Sequence, residues 1–246
     1  MVWNSLEDKV AEEFESLDSD GKLTFLKQSR AKRVYSGESA RIFAKMRQDP
    51  IMNTIEDRPG ELYGNYVSTI KCDITDTEKW YTQTTLRAAM YIREMQKHFD
   101  PCQVKWLTDF GPGYGGFVRV WNIIYPHTEF YQLVDLPRLK QISEYYLRKY
   151  DIKNKTHVTL EQHKDPDRKS LFLATHSLNE CGLDVRVKVE KILPKYDYIY
   201  IVYNRMIEEI NNIVYFDQLG EKLKETHTVH MYFEESTSKW RLIAIK

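Results

Sequence analysis

Trp106-Leu107-Thr108-Asp109-Phe110-Gly111-Pro112-Gly113-Tyr114-Gly115-Gly116-Phe117 is the stretch on which the reading of this chain turns. An apolar segment ends in an acid, a glycine-rich turn follows, and a helical pattern opens at Phe117. In an open parallel sheet, the turn after such a strand lies at the carboxyl edge, where ligands bind. Glycine lets the backbone turn sharply and approach a ligand closely. The first N–H groups of the next helix lack partners inside the helix and face the same place.

Outward from this turn, strands and helices alternate. The expected strands are 104–110, 129–134, 157–160, 171–174, 198–203, 226–233 and 240–245, with helices at 117–125, 138–150 and 183–193 among them. Such alternation implies a parallel sheet covered on both faces. The short polar segment 234–239 joins the last two strands as a hairpin, so one of them runs antiparallel.

Residues 1–100 read as a mostly helical N-terminal region that covers the site, and residues 101–246 as the ligand-binding domain. Ser5 is the expected N-cap of a first helix, with Val10, Phe14 and Leu17 on one apolar face. Asp18-Ser19-Asp20-Gly21 reads as a turn. It is a poor calcium loop, because the twelfth position would be Lys27 where the ion needs a glutamate. Residues 49–76, with Pro50, Pro59, Gly60 and Gly64, read as a connector with a short extended piece. A helix is expected over 77–99, stopped by Pro101.

Two families of nucleotide cofactor use a turn like Gly111–Gly116. Its glycines, at 111, 113, 115 and 116, leave both open. Dinucleotides place a pyrophosphate against the helix N-terminus. Asp109, two residues before the first glycine, would repel a pyrophosphate but neutralise the amino group of a methionine-type cofactor. Asp135 ends the next strand, 24 residues after Gly111, where a ribose-binding carboxylate is expected.

The run DFGPGYGGFVRVWNIIYPHTEFYQLVDLPRL (109–139) resembles the class I S-adenosylmethionine-dependent methyltransferases, and more narrowly the sugar O-methyltransferase family, which carries a similar IGPGYGG…VDLP signature. The likeness spans about residues 104–140 and runs more weakly through 172–180. It implies an α/β Rossmann-like class I methyltransferase fold with a seven-stranded, mostly parallel sheet and a C-terminal antiparallel hairpin. It also implies S-adenosylmethionine as cofactor. Gly111, Gly113 and Gly115 would face its methionine part, Asp135 its ribose hydroxyls, and Leu136 its adenine; Thr175 joins this cofactor-binding set. Phe110 departs from the family's smaller aliphatic residue, and Phe110 and Tyr114 are the side chains able to block the cradle.

Methyl transfer to an alcohol needs the acceptor aligned and its proton removed. The end of the fourth strand faces the methyl group, which makes His176 the expected base, with Glu180 as a second base or as the group that orients His176. The remaining histidines, among them His157, His163, His227 and His230, read as structural or solvated. His163 or its neighbours are expected near the adenine. Asp165 and Asp167 read as a solvated loop, and no metal is expected.

Lys+Arg and Asp+Glu are both 36 in this chain of 246 residues, so net charge is zero. Without a basic excess, nucleic acid is a poor expected partner. Cys72, Cys102 and Cys181 form no CxxC pair, which argues against a zinc ribbon and a disulfide framework and for a reducing, cytoplasmic compartment. The acidic N-terminus lacks the apolar core of a signal peptide, and no run reaches the roughly 20 apolar residues of a membrane span. The expected activity is O-methylation of a sugar hydroxyl or small glycosylated molecule. Three alternatives stay open: another small-molecule methylation on O or N, an NAD-linked oxidoreductase, and a non-catalytic Rossmann-like scaffold. A homo-oligomer is compatible with the sequence.

Overall fold

The computed structural model describes residues 2–19, 21–22, 42, 46, 49–55, 70–73 and 78–246. Its centre is a seven-stranded sheet. The first five strands are β3 (Trp106–Phe110), β4 (Phe130–Val134), β5 (Lys155–Val158), β6 (Ser170–Thr175) and β7 (Tyr198–Tyr203). After β7, β8 (Met206–Ile207) and β9 (Ile210–Asn211) pair as a separate two-stranded ribbon, and β10 (Thr228–Glu234) and β11 (Lys239–Ile245) complete the main sheet. Its strands lie in the order β10-β11-β7-β6-β3-β4-β5. β3 to β7 pair in parallel; β11 runs antiparallel to β7, and β10 antiparallel to β11. The expected seven strands and terminal hairpin are therefore present. After β5 the chain returns to place β6 on the other side of β3, so the connection reverses at the end of β3. That is the topological switch point where open α/β sheets bind ligands.

β7 reads Tyr-Ile-Tyr-Ile-Val-Tyr and is buried throughout, as a central strand covered on both faces must be. Alternate residues feed two cores. Tyr198, Tyr200 and Val202 join one with α2 (Gln83–Met95), α3 (Gly116–Ile124) and α4 (Lys140–Lys149). Ile199, Ile201 and Tyr203 join the other with α5 (Leu183–Glu190) and α6 (Asn212–Leu223). α6 adds a helix to those named from sequence. Phe216, Leu219, Gly220 and Leu223 are buried, a spacing of i, i+3, i+4, i+7 that was present to be read.

The N-terminal region differs from expectation in two ways. The helix expected over 77–99 begins later. Glu78–Tyr81 is strand β2, paired antiparallel with β1 (Ile70–Asp73), the expected extended piece. Thr82 then caps α2 by accepting the Thr85 N–H at 3.2 Å. Pairing wins over helix propensity here because Tyr81 is fully buried and its hydroxyl donates to the Met52 carbonyl at 2.8 Å. The first helix, α1 (Val2–Glu15), starts ahead of Ser5, which is therefore not its N-cap. Phe14 is buried against Tyr145 and Val10 packs beside it. Asp18 closes the following turn by accepting the Gly21 N–H; Asp20 lies outside the described residues, as do Pro59, Gly60 and Gly64. No helix among the described residues is long and apolar enough to cross a membrane.

α1 is held to the main sheet domain through Arg138. Its guanidinium reaches Asp8 (2.8 Å), Glu12 (3.6 Å) and Glu15 (3.0 Å), and its N–H donates to Glu7. These acids lie about one helical turn apart, so one arginine bridges the whole helix. Exposed pairs contribute roughly 0.2–1 kcal/mol each and are screened by salt. Arg138→Ala should therefore raise hydrogen exchange in residues 2–15 while the melting temperature of the core changes little, and added salt should reproduce the effect in the parent protein.

Candidate cofactor and acceptor site

The turn after β3 uses glycine where nothing else fits. Gly111, Gly113 and Gly115 have φ of +68°, +57° and +91°, the left-handed region that costs other residues roughly 1–2 kcal/mol. A Cβ at Gly111 would stand 2.2 Å from the Ser177 Cβ, and one at Gly115 would meet Leu147 at 2.9 Å. At Gly113 a Cβ would meet nothing within 4 Å, because it faces the site. The Gly111 N–H donates to the Val134 carbonyl at 2.8 Å, and the Ser177 hydroxyl donates to the Phe110 carbonyl. The turn is thus fastened to both neighbouring strands.

Beside it lies a cavity of about 360 Å³, within the range of small-molecule sites. Gly111, Gly113, Asp135 and Leu136 line it from the β3 and β4 ends, and Thr175, His176 and Glu180 from the β6 end. Asp109 and Gly115 stand behind this wall. Phe110 forms part of the wall and leans on Phe172, while Tyr114 turns away onto Tyr146. Neither closes the cradle. Thr159, Leu160 and Glu161, just after β5, line it too. They are the neighbours of His163 expected near an adenine; His163 itself is turned to the Tyr196 hydroxyl at 2.7 Å.

The cavity wall is mostly apolar, with Asp135, Glu161, Glu180, His176 and Lys188 among its polar side chains. Asp109 is buried, and neither carboxylate oxygen has a hydrogen-bond partner. Burial and, next, the charge of Asp135 push its pKa up to about 8. Asp135 rises to about 7, chiefly by burial, with Glu7 adding to the rise and the Leu136 N–H opposing it. A buried carboxylate without donors stays neutral until a cation arrives. Such a pair fits a ligand carrying an ammonium group and ribose hydroxyls.

On the β6 side, His176 has a left-handed backbone, φ +73°, held by its N–H on the Val202 carbonyl at 2.9 Å. Its Nε2 meets the Tyr91 hydroxyl of α2 at 3.3 Å, and Nδ1 is buried without a partner. Burial, then the charges of Arg87, Lys239 and Arg241, hold the imidazole well below its ordinary pKa, so it is neutral near pH 7. Tyr91 is the site neighbour that sequence spacing did not single out: its contact arises from the packing of α2 on the sheet. Glu180 ends a short turn, Leu178–Glu180, half-buried at the cavity edge. Asp165 pairs with Lys195 and Asp167 with Arg168 in an exposed loop. Among the described residues no three His, Cys, Asp or Glu side chains gather as a metal site would need.

No protein-family model and no curated protein matches this chain. Solved structures do. The methyltransferase domain of bacterial CtHen1 superposes with a TM-score of 0.50 at 10% identity, over 65% of this chain and 97% of that one. An S-adenosylmethionine-dependent methyltransferase from Aquifex aeolicus gives 0.48 at 16% identity, over 62% and 87%. Human N-acetylserotonin methyltransferase gives 0.44 at 10%, over 67% of this chain and 56% of its own length. The first of these, with the strand order above, defines the fold: this chain has the Rossmann-like fold of class I methyltransferases.

Two outcomes follow from the geometry. Gly111→Ala should destabilise by about 2–5 kcal/mol, combining overpacking with the left-handed backbone, whereas Gly113→Ala should cost only about 1 kcal/mol; thermal denaturation of both separates them. The second concerns pH. Asp109 and Asp135 hold protons in the folded chain up to about pH 8 and 7, but lose them near pH 4 when unfolded. Their stabilising contribution is therefore full below about pH 4 and lost as pH rises toward 8. The Asp109→Asn variant should keep only the Asp135 part of this decline, and so show a shallower fall, when melting temperatures are compared between pH 6 and 8.5.

Proposed function

We propose that this protein transfers a methyl group from S-adenosylmethionine to an oxygen acceptor, a sugar hydroxyl or a small glycosylated molecule. The observation that carries the reading is the cavity at the switch point, where the glycine turn, Asp135 and the unpartnered buried Asp109 converge. The sugar assignment is supported by the GPGYGG and VDLP motifs.

When bound, the cofactor supplies an electrophilic methyl on a sulfonium. The protein's part is to hold, orient and dehydrate. Gly113 leaves room for close approach, and Asp109 lies behind the turn as counter-charge to the ammonium. Asp135 accepts from the ribose hydroxyls, and Leu136 and Leu160 offer apolar surface to adenine. Thr175 and Glu180 border the cavity at its β6 end, and neutral His176 is the group able to take the acceptor's proton.

The two rival classes fit less well. A dinucleotide oxidoreductase would set a pyrophosphate near the Asp109 carboxylate, and its usual sheet order ends in parallel strands rather than an inserted antiparallel one. A non-catalytic scaffold needs no open cradle, yet Phe110 and Tyr114 leave one.

Calorimetry should find micromolar binding of S-adenosylhomocysteine and none of NAD; the reverse preference would remove the proposal. Binding should release protons, read as a heat that varies with buffer ionisation enthalpy, because the incoming ammonium returns Asp109 to its charged form. Asp135→Asn should weaken binding about 10- to 100-fold, the worth of charge-assisted hydrogen bonds. With an acceptor found by screening sugars and glycosides, His176→Ala should abolish turnover and keep cofactor affinity; full turnover would exclude His176 as base.

A further inference from the structure

We propose that Tyr91 is a positioning residue for His176: its hydroxyl accepts the Nε2–H and so leaves the Nδ1 lone pair to take the acceptor's proton. The proposal rests on the methyltransferase reading, and its geometry lies on the β6 side of the same cavity.

Tyr91 comes from α2, outside the sheet, and a buried polar cluster fixes its ring. Arg241 lies over its face at 5.2 Å, and the Tyr200 ring is 5.8 Å away. Arg241 is fully buried and clamped to Glu94, with Nε to Oε2 at 2.7 Å. Tyr200 donates to the same carboxylate, and Arg241 also donates to Thr237 at 3.0 Å. A buried ion pair is costly unless every member is hydrogen-bonded. This one ties α2, β7 and β11 together directly behind the ring that touches His176.

His176 is held from its own side as well. Its left-handed backbone would suit glycine better; the Val202 carbonyl fixes it by accepting its N–H at 2.9 Å. Strain of this kind gathers where a side chain is needed in one place. With Nε2 committed to Tyr91, the nitrogen left is Nδ1, buried and unpartnered in a residue that lines the cavity. For Nδ1 to accept a proton, Nε2 must keep its own, and the Tyr91 oxygen is the group 3.3 Å away to receive it. As the acceptor oxygen bonds to the methyl carbon, its proton passes to Nδ1, and the sulfur keeps the electron pair of the broken S–C bond. The Nε2–H···O bond then becomes charge-assisted and strengthens.

The test is nitrogen-15 NMR of the His176 ring in protein loaded with S-adenosylhomocysteine. The Nε2–H tautomer is expected. Tyr91→Phe should shift the ring toward Nδ1–H without changing S-adenosylhomocysteine affinity, and should lower kcat roughly tenfold or more at unchanged cofactor KM. An Nδ1–H tautomer in the parent protein overturns the proposal, whether or not Tyr91→Phe folds. So does a Tyr91→Phe variant with unchanged tautomer and kcat. Failure of the parent protein to bind S-adenosylhomocysteine would sink the cofactor reading instead, and the tautomer of the free protein would still decide the role of Tyr91.

Discussion

Everything at this site hangs on the backbone of one turn. Between Phe110 and Gly116 the chain must leave a central strand, pass three left-handed residues and enter a helix within six positions. Two of those residues have no room for a Cβ. The Ser177 hydroxyl and the Val134 carbonyl pin the turn from the strands on either side. The cradle is therefore preformed: its shape is set by packing and hydrogen bonds, and a ligand need not pay to order it.

The same compactness creates the electrostatics. Bringing the ends of β3 and β4 together buries both acids, and the charge of Asp135 adds to the cost of ionising Asp109. A cation brought beside these acids favours their ionised form. That arrangement selects for ligands by charge more sharply than an apolar pocket of equal volume would, since an anion placed there would oppose the ionisation of both acids whereas a cation favours it.

The N-terminal region is continuous with the sheet domain in its packing. α2 shares one core with α3, α4 and the face of the sheet, and delivers Tyr91 to His176. α1 lies against the start of α4, one residue beyond the cavity wall at Pro137, through the Arg138 cluster. The β4 end of the cavity is thus braced by α1 and the β6 end by α2, and both helices join the same core.

The local features were legible from residues alone. The glycine turn, the acids at 109 and 135, the alternation of strands with helices and the terminal hairpin are all set by spacing and periodicity, which depend on near neighbours in the chain. So was the position of His176 at the end of a strand. The limit of His176's isolation was not: Tyr91 is 85 residues away in the chain, and its contact exists because α2 packs across the sheet. Nor did sequence reveal that Glu78–Tyr81 is a strand, since its partner strand and the burial of Tyr81 override the helical pattern. The raised pKa values of the two acids likewise belong to the fold, because burial and mutual approach are properties of packing, and spacing along the chain says nothing of either.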